Sequence, residues 1–139
     1  MKYKIIEEYY DEKKREYSIT IQNKYGRFTG KAYCNKEDVF SIYTGARYAE
    51  IRATIEYAKF RYKQEKIKLN TVKNLYKDLT YNAYLAQMNQ TALHSVNIKI
   101  RDYSQSIQDW KNLYEYLEKR IPELDKEREK ILSRTKKDK

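Results

Sequence analysis

Alternating apolar and polar positions in the first third of the chain predict a small antiparallel sheet. Tyr17, Ile19 and Ile21 follow each other at every second position, which is the period of a strand with one buried face. Turn residues flank this run on both sides, and one of them, Gly26, can adopt a positive φ at no steric cost. We therefore expect three antiparallel strands within residues 1–43.

Two apolar stripes with helical spacing follow the sheet. The first predicts a long helix over 44–88 and the second predicts another over 96–133, with an interhelical loop at 89–95 between them. Residues 134–139 are predicted to form a basic tail. The first stripe consists of Ile51, Ile55, Ala58, Tyr62, Leu69, Val72, Tyr76, Leu79, Ala83, Ala86 and Leu93, and the second of Val96, Ile100, Tyr103, Ile107, Trp110, Tyr114, Leu117, Ile121, Leu124 and Ile131.

These elements predict an α+β fold in a single domain over 1–139, with a small N-terminal antiparallel β-sheet followed by two long α-helices. A helix over 44–88 would be roughly 65 Å long at 1.5 Å per residue. Three short strands cannot cover that length, so part of each apolar stripe must pack on the other helix or on another subunit. We therefore expect a homo-oligomer.

Basic residues outnumber acidic ones and are unevenly distributed. The chain has 30 Lys+Arg and 20 Asp+Glu, and seven of the basic residues lie between positions 59 and 77, where Glu65 is the single acidic residue. A positive field of this kind attracts polyanions without specifying which one. A solvated helix face with no ligand is the alternative interpretation.

The residues needed for most hydrolytic and metal-dependent chemistry are scarce. With one Cys and one His in 139 residues, an intramolecular disulfide and a two-His metal motif are both impossible within one chain. The motifs of nucleotide hydrolases, metalloproteases and serine hydrolases are absent from the sequence. No apolar run approaches the roughly 18 residues of a membrane span. We expect no catalysis, no metal, no cofactor and no membrane, and a cytosolic location.

The most informative group of polar and aromatic residues suits a phosphate-bearing ligand. Tyr25, Arg27 and Phe28 lie at the predicted hairpin, and Thr44 is predicted to cap a helix whose first turn holds Arg47. Helix N-termini and guanidinium groups bind phosphate, and aromatic rings stack on purines. In the alternative interpretation Phe28 fills the sheet core, Arg27 is solvated and Arg47 forms an ion pair within its helix.

Two stretches of the sequence carry a resemblance to a known family. Residues 26–41, GRFTGKAYCNKEDVFS, and residues 43–53, YTGARYAEIRA, resemble the phage anti-Thoeris sponge proteins, the first-described Thoeris anti-defence family, over roughly residues 16–62. The resemblance implies that the protein sequesters a cyclic ADP-ribose isomer, an immune signal made by a bacterial TIR-domain enzyme, without degrading it. It also implies a location in the cytoplasm of the infected host, and a pocket shared between protomers and closed by a loop.

With this resemblance, the candidate ligand-binding residues fall into three groups. Arginines would hold the phosphates, an aromatic ring would stack on adenine, and two amide side chains would come from the closing loop. The arginines are Arg27, Arg47 and Arg101, the ring is that of Phe28 or Tyr25, and the amides are Asn89 and Gln90.

Three other functions remain open from the residues alone. They are a basic module that binds nucleic acid, a structural coiled-coil protein without a small ligand, and an enzyme that cleaves the cyclic nucleotide. The cyclic ADP-ribose isomer, the number of subunits and the binding of other cyclic nucleotides are equally open.

Overall fold

The computed structural model describes residues 2–33 and 42–137 and confirms the predicted α+β class. Three strands form an antiparallel sheet in the order β1-β2-β3. The strands are β1 (Lys4–Asp11), β2 (Glu16–Asn23) and β3 (Gly26–Tyr33). Within the rest of the predicted sheet segment, residues 34–41 lie outside the described residues, and residues 42–43 belong to a helix.

The alternation in β2 buries one face of the sheet, as predicted. Tyr17, Ile19 and Ile21 are 6%, 1% and 0% exposed, whereas Ser18 and Thr20 between them are partly exposed. The turn into β3 is closed by the Asn23 side chain, whose Oδ1 accepts a hydrogen bond from the Tyr25 backbone N–H at 2.8 Å. Gly26 then has a φ of +135°, which confirms the positive φ expected there.

Helix α1 (Ile42–Leu79) packs directly against β3 at Gly30. A Cβ atom built on Gly30 would overlap the carbonyl oxygen of Ala49 and the backbone nitrogen of Ala53. Ala49 and Ala53 are one helical turn apart and fully buried, so their small side chains let the helix backbone approach the strand. This close approach determines which residues of α1 lie beside the edge of β3.

The helix boundaries differ from those predicted by the stripes. Helix α1 ends at Leu79 rather than at residue 88, and a short helix α2 (Ala83–Met88) follows it. The cause is a capping residue, because the Asn82 side chain accepts a hydrogen bond from the Leu85 backbone N–H at 2.9 Å and so begins a new helix. The predicted cap at Thr44 is also wrong, since α1 already begins at Ile42.

The predicted interhelical loop at 89–95 is wrong as well. Helix α3 spans Gln90–Lys137, and the Asn89 carbonyl already accepts a hydrogen bond from the Leu93 N–H at 2.8 Å. The polar residues that suggested a loop therefore lie on the first turns of a helix. At the other end, the predicted tail at 134–139 is helical up to Lys137, and its last two residues lie outside the described part.

The chain divides into two compact units. The first unit comprises residues 1–57 and 114–139, and the second comprises residues 58–113. Within the first unit, the Tyr48 hydroxyl donates a hydrogen bond to Asp125 at 2.8 Å and joins α1 to α3. In the described part of the chain, no helix has an apolar stretch long enough to cross a membrane.

A buried tyrosine in the sheet predicts a loss of stability at alkaline pH. Burial and then a 2.9 Å hydrogen bond to Glu8 raise the pKa of the Tyr17 phenol. The folded protein therefore keeps this proton at pH values where the unfolded chain loses it, so the stabilisation is present below pH ~10 and is lost as the pH rises further. We expect the free energy of unfolding of Tyr17→Phe to fall less than that of wild-type protein between pH ~9 and ~11.

Urea denaturation at these two pH values measures the effect, and Tyr9→Phe provides the control because Tyr9 is 60% exposed. Parallel pH profiles for wild-type protein and Tyr17→Phe would contradict the prediction.

Candidate functional site

The open edge of β3 and the adjacent part of α1 line an open cavity of about 390 Å³ in the first unit. Ligand-binding clefts in proteins typically have volumes of roughly 300–1,000 Å³. The residues of the cavity that matter for binding are Arg27, Phe28 and Lys31 from β3 and Arg52, Ile55 and Glu56 from α1. The cavity therefore combines three basic side chains with one aromatic ring, one aliphatic side chain and one carboxylate.

The three basic side chains differ in how they are engaged. The Lys31 ammonium lies 3.1 Å from a carboxylate oxygen of Glu16, and this hydrogen bond and ion pair raise the Lys31 pKa. The Arg52 Nη1 atom donates a hydrogen bond to the backbone carbonyl of Lys31 at 2.6 Å. A guanidinium has five N–H donors, so this bond fixes the Arg52 side chain at the cavity and leaves further donors for an anion.

Arg27 lies at the cavity as an exposed residue of β3, where the sequence had placed a phosphate-binding arginine. Arg27 pairs with Gln22 and alternates with Phe28 and Gly30, so its side chain leaves β3 on the exposed face of the sheet. Arg52 lines the same cavity from α1. Guanidinium groups form paired, charge-assisted hydrogen bonds with phosphate oxygens. The arrangement is therefore suited to a ligand with one or two phosphates.

Aromatic rings form a cluster beside the cavity. The Phe28 ring meets the Tyr57 ring edge to face, with centroids 5.2 Å apart and an angle of 62° between the planes. On its other side Tyr57 contacts Tyr25, with ring centroids 6.2 Å apart. Phe28 lines the cavity, whereas Tyr25 and Tyr57 line a neighbouring groove of about 1260 Å³. Of the two rings expected to stack on adenine, Phe28 is thus the one at the cavity.

The remaining predicted site residues lie elsewhere in their units. Arg47 is exposed on α1, and because the helix begins at Ile42 it lies in the second turn rather than in the first. Its predicted role at a helix N-terminus is therefore not supported by its position. Arg52, five residues later, is the arginine of α1 that lines the cavity.

Asn89, Gln90 and Arg101 belong to the second unit. The Asn89 side-chain amide donates a hydrogen bond to the Leu79 carbonyl at 3.3 Å and so stabilises the end of α1. Gln90 is the exposed first residue of α3, and Arg101 is exposed with its Nε atom 3.6 Å from Asp102. None of the three lies on a loop long enough to close over a ligand, so the closing-loop prediction is wrong for residues 89–95.

Comparisons with protein-family models, with curated proteins and with solved structures found no match to this chain. Among the residues that the structure describes, no group of three or more His, Cys, Asp or Glu side chains is placed to hold a metal ion.

Sequence reasoning missed the contribution of α1 to this cavity. Arg52 and Glu56 are four residues apart, which places them on one face of the helix. Their position beside β3 depends on the packing of Ala49 and Ala53 against Gly30. A glycine within a strand and two alanines spaced by one helical turn were the available signal, because such residues mark a close approach of backbones.

Proposed function

We propose that the protein binds and sequesters a cyclic ADP-ribose-type nucleotide without degrading it, as part of a homo-oligomer. In an infected bacterial host this would withdraw the signal on which Thoeris immunity depends. The observation that supports the proposal is the cavity between β3 and α1, whose lining includes Arg27, Phe28 and Arg52. The resemblance of residues 16–62 to the anti-Thoeris sponge proteins supports the choice of ligand.

The proposal assigns a part of the ligand to each kind of side chain. The two phosphates of a cyclic ADP-ribose carry the negative charge that Arg27 and Arg52 would bind, and the adenine offers a flat face to Phe28. At about −0.3 kcal/mol per non-hydrogen atom, a ligand of about 35 such atoms gains about −10 kcal/mol, which corresponds to a Kd in the range of tens of nanomolar. Affinity in this range suits sequestration.

Replacement of Arg27 tests the proposal. We expect Arg27→Ala to raise the Kd for the cyclic ADP-ribose isomer that binds best by about 100-fold, because a pair of charge-assisted hydrogen bonds to phosphate is lost. Isothermal titration calorimetry measures the Kd and the number of ligands per subunit. Lys13→Ala is the matched control, since it also removes one positive charge but lies in the exposed turn between β1 and β2.

If Arg27→Ala binds the nucleotide as tightly as wild-type protein, Arg27 does not hold the phosphates and this cavity is not the binding site. Arg101→Ala tests the predicted contribution of the second unit separately. Recovery of the intact nucleotide from heat-denatured complex is expected for sequestration, whereas recovery of a cleaved product would indicate an enzyme.

A nucleic-acid-binding module is the second candidate, and the exposed lysines on α1 favour it. These side chains are Lys63, Lys66, Lys68, Lys73 and Lys77. Such a surface predicts binding of any long duplex with a steep dependence on salt, whereas a small diphosphate contacts few cations and shows a shallow one. Titration with a short DNA duplex at two salt concentrations, beside the nucleotide, distinguishes the two functions. A protein with no ligand response in either titration would be the structural coiled-coil alternative.

A further inference from the structure

We infer that the carboxylate of Glu56 accepts hydrogen bonds from ribose hydroxyl groups of the bound nucleotide and makes the cavity select a nucleotide over inorganic phosphates. This inference rests on the proposed function and assigns a specificity-determining residue to the same site. Glu56 lies in a cavity whose other charged residues are basic.

A carboxylate is costly in a site for phosphate. Like charges that share a site repel each other, so Glu56 weakens the binding of any bare phosphate held by Arg27 and Arg52. An ionised carboxylate can only accept hydrogen bonds. Its presence is therefore favourable only for a ligand that also brings O–H or N–H donors into the cavity.

The Glu56 carboxylate is available to a ligand. The two residues have the i, i+4 spacing at which ion pairs form along a helix. Arg52 instead donates its Nη1 hydrogen bond to the backbone carbonyl of Lys31 at 2.6 Å. Glu56 is exposed and forms no ion pair or hydrogen bond with another described residue of the chain.

The connectivity of the ligand favours ribose as the source of these donors. In an ADP-ribose each phosphate is joined through one ester bond to the 5′ carbon of a ribose, so a diphosphate held by Arg27 and Arg52 brings sugar hydroxyls with it. Adenine, which also has an amino donor, would be directed towards Phe28. An acidic side chain that accepts from ribose hydroxyls is also the means by which dinucleotide-binding folds recognise this sugar.

The test compares two ligands on the full chain and its Glu56→Gln variant. The ligands are the cyclic ADP-ribose isomer that binds wild-type protein best and inorganic pyrophosphate, both measured by isothermal titration calorimetry. We expect Glu56→Gln to raise the Kd for the cyclic nucleotide about tenfold, because a neutral acceptor forms a weaker hydrogen bond than a carboxylate. We expect the same variant to lower the Kd for pyrophosphate several-fold, because a repulsive charge is removed.

A matched control removes the same charge elsewhere in the same unit. Glu12→Gln lies in the exposed turn between β1 and β2 and should leave both Kd values unchanged. Opposite shifts for the two ligands in Glu56→Gln alone would support the inference, because a general change in net charge or in folding moves both affinities in one direction.

Some results would overturn the inference alone, and another would overturn the proposed function as well. If Glu56→Gln binds both ligands more tightly, or leaves the nucleotide affinity unchanged, the carboxylate does not contact the sugar, but the sequestration proposal remains. If wild-type protein binds neither ligand, the proposed function and the inference fail together.

Discussion

Gly30→Ala is expected to lower the free energy of unfolding by about 3 kcal/mol, since overpacking of a closely packed site costs typically 1–3 kcal/mol or more. A Cβ at this position would overlap the Ala49 carbonyl oxygen and the Ala53 nitrogen. Both are backbone atoms of α1, so no side chain can rotate to make room. The helix would have to move away from β3, and the cavity between them would change with it.

Urea denaturation of the purified variant measures this change. Thr29→Ala is a suitable control because it alters the preceding residue of β3, whose exposed hydroxyl lies 2.8 Å from that of Thr20. We expect the control to cost about 1 kcal/mol or less. If Gly30→Ala unfolds at the same urea concentration as Thr29→Ala, α1 does not approach β3 as closely as described.

Glu65→Ala is expected to destabilise the second unit by about 3–5 kcal/mol, the usual effect of removing one partner of a buried ion pair. Glu65 is 4% exposed and Arg61 is 9% exposed, and a carboxylate oxygen of Glu65 lies 3.2 Å from the Arg61 Nη2 atom. The Arg61 guanidinium also lies over the Trp110 ring, 5.2 Å from its centroid. Without Glu65, the buried Arg61 guanidinium would lose this carboxylate contact.

A double variant separates the loss of the pair from a loss of packing. Replacing both charges with apolar residues of similar volume, as in Arg61→Met with Glu65→Leu, removes the desolvation cost along with the attraction and is expected to restore stability to within about 1 kcal/mol of wild type. Lys68→Ala provides a surface control, because Lys68 contacts the same carboxylate at 3.6 Å with a half-exposed side chain. Additive losses in the double variant would contradict this account.

The sheet could be predicted from the sequence because its signals are local. Alternation at Tyr17, Ile19 and Ile21 determines which face is buried, and Gly26 marks the turn. The helix boundaries could not be predicted from the stripes, since the apolar period continues past residue 79 into α2. The second helix begins where the Asn82 side chain accepts a hydrogen bond from the Leu85 N–H. A repeat of apolar residues gives no information about such a capping bond.

The candidate site was predictable only in part, for a related reason. Arg27 and Phe28 are consecutive residues of β3, so the hairpin pattern already assigned both to one strand, with their side chains on opposite faces. Arg52 and Glu56 join them only because of the side of α1 that meets β3, which is a property of tertiary packing. Asn89 and Gln90 were assigned to a loop because of their polarity, yet polar residues are common on the exposed surface of a helix.

The position of Trp110 provides a built-in optical probe. It is the single tryptophan of the chain, and it lies in the second unit beside the Arg61 guanidinium. Its fluorescence emission therefore reports the unfolding of residues 58–113, while far-ultraviolet circular dichroism follows the whole chain. Coincident transitions in the two signals would mean that both units unfold as one cooperative structure, and separate transitions would assign each variant's loss of stability to its own unit.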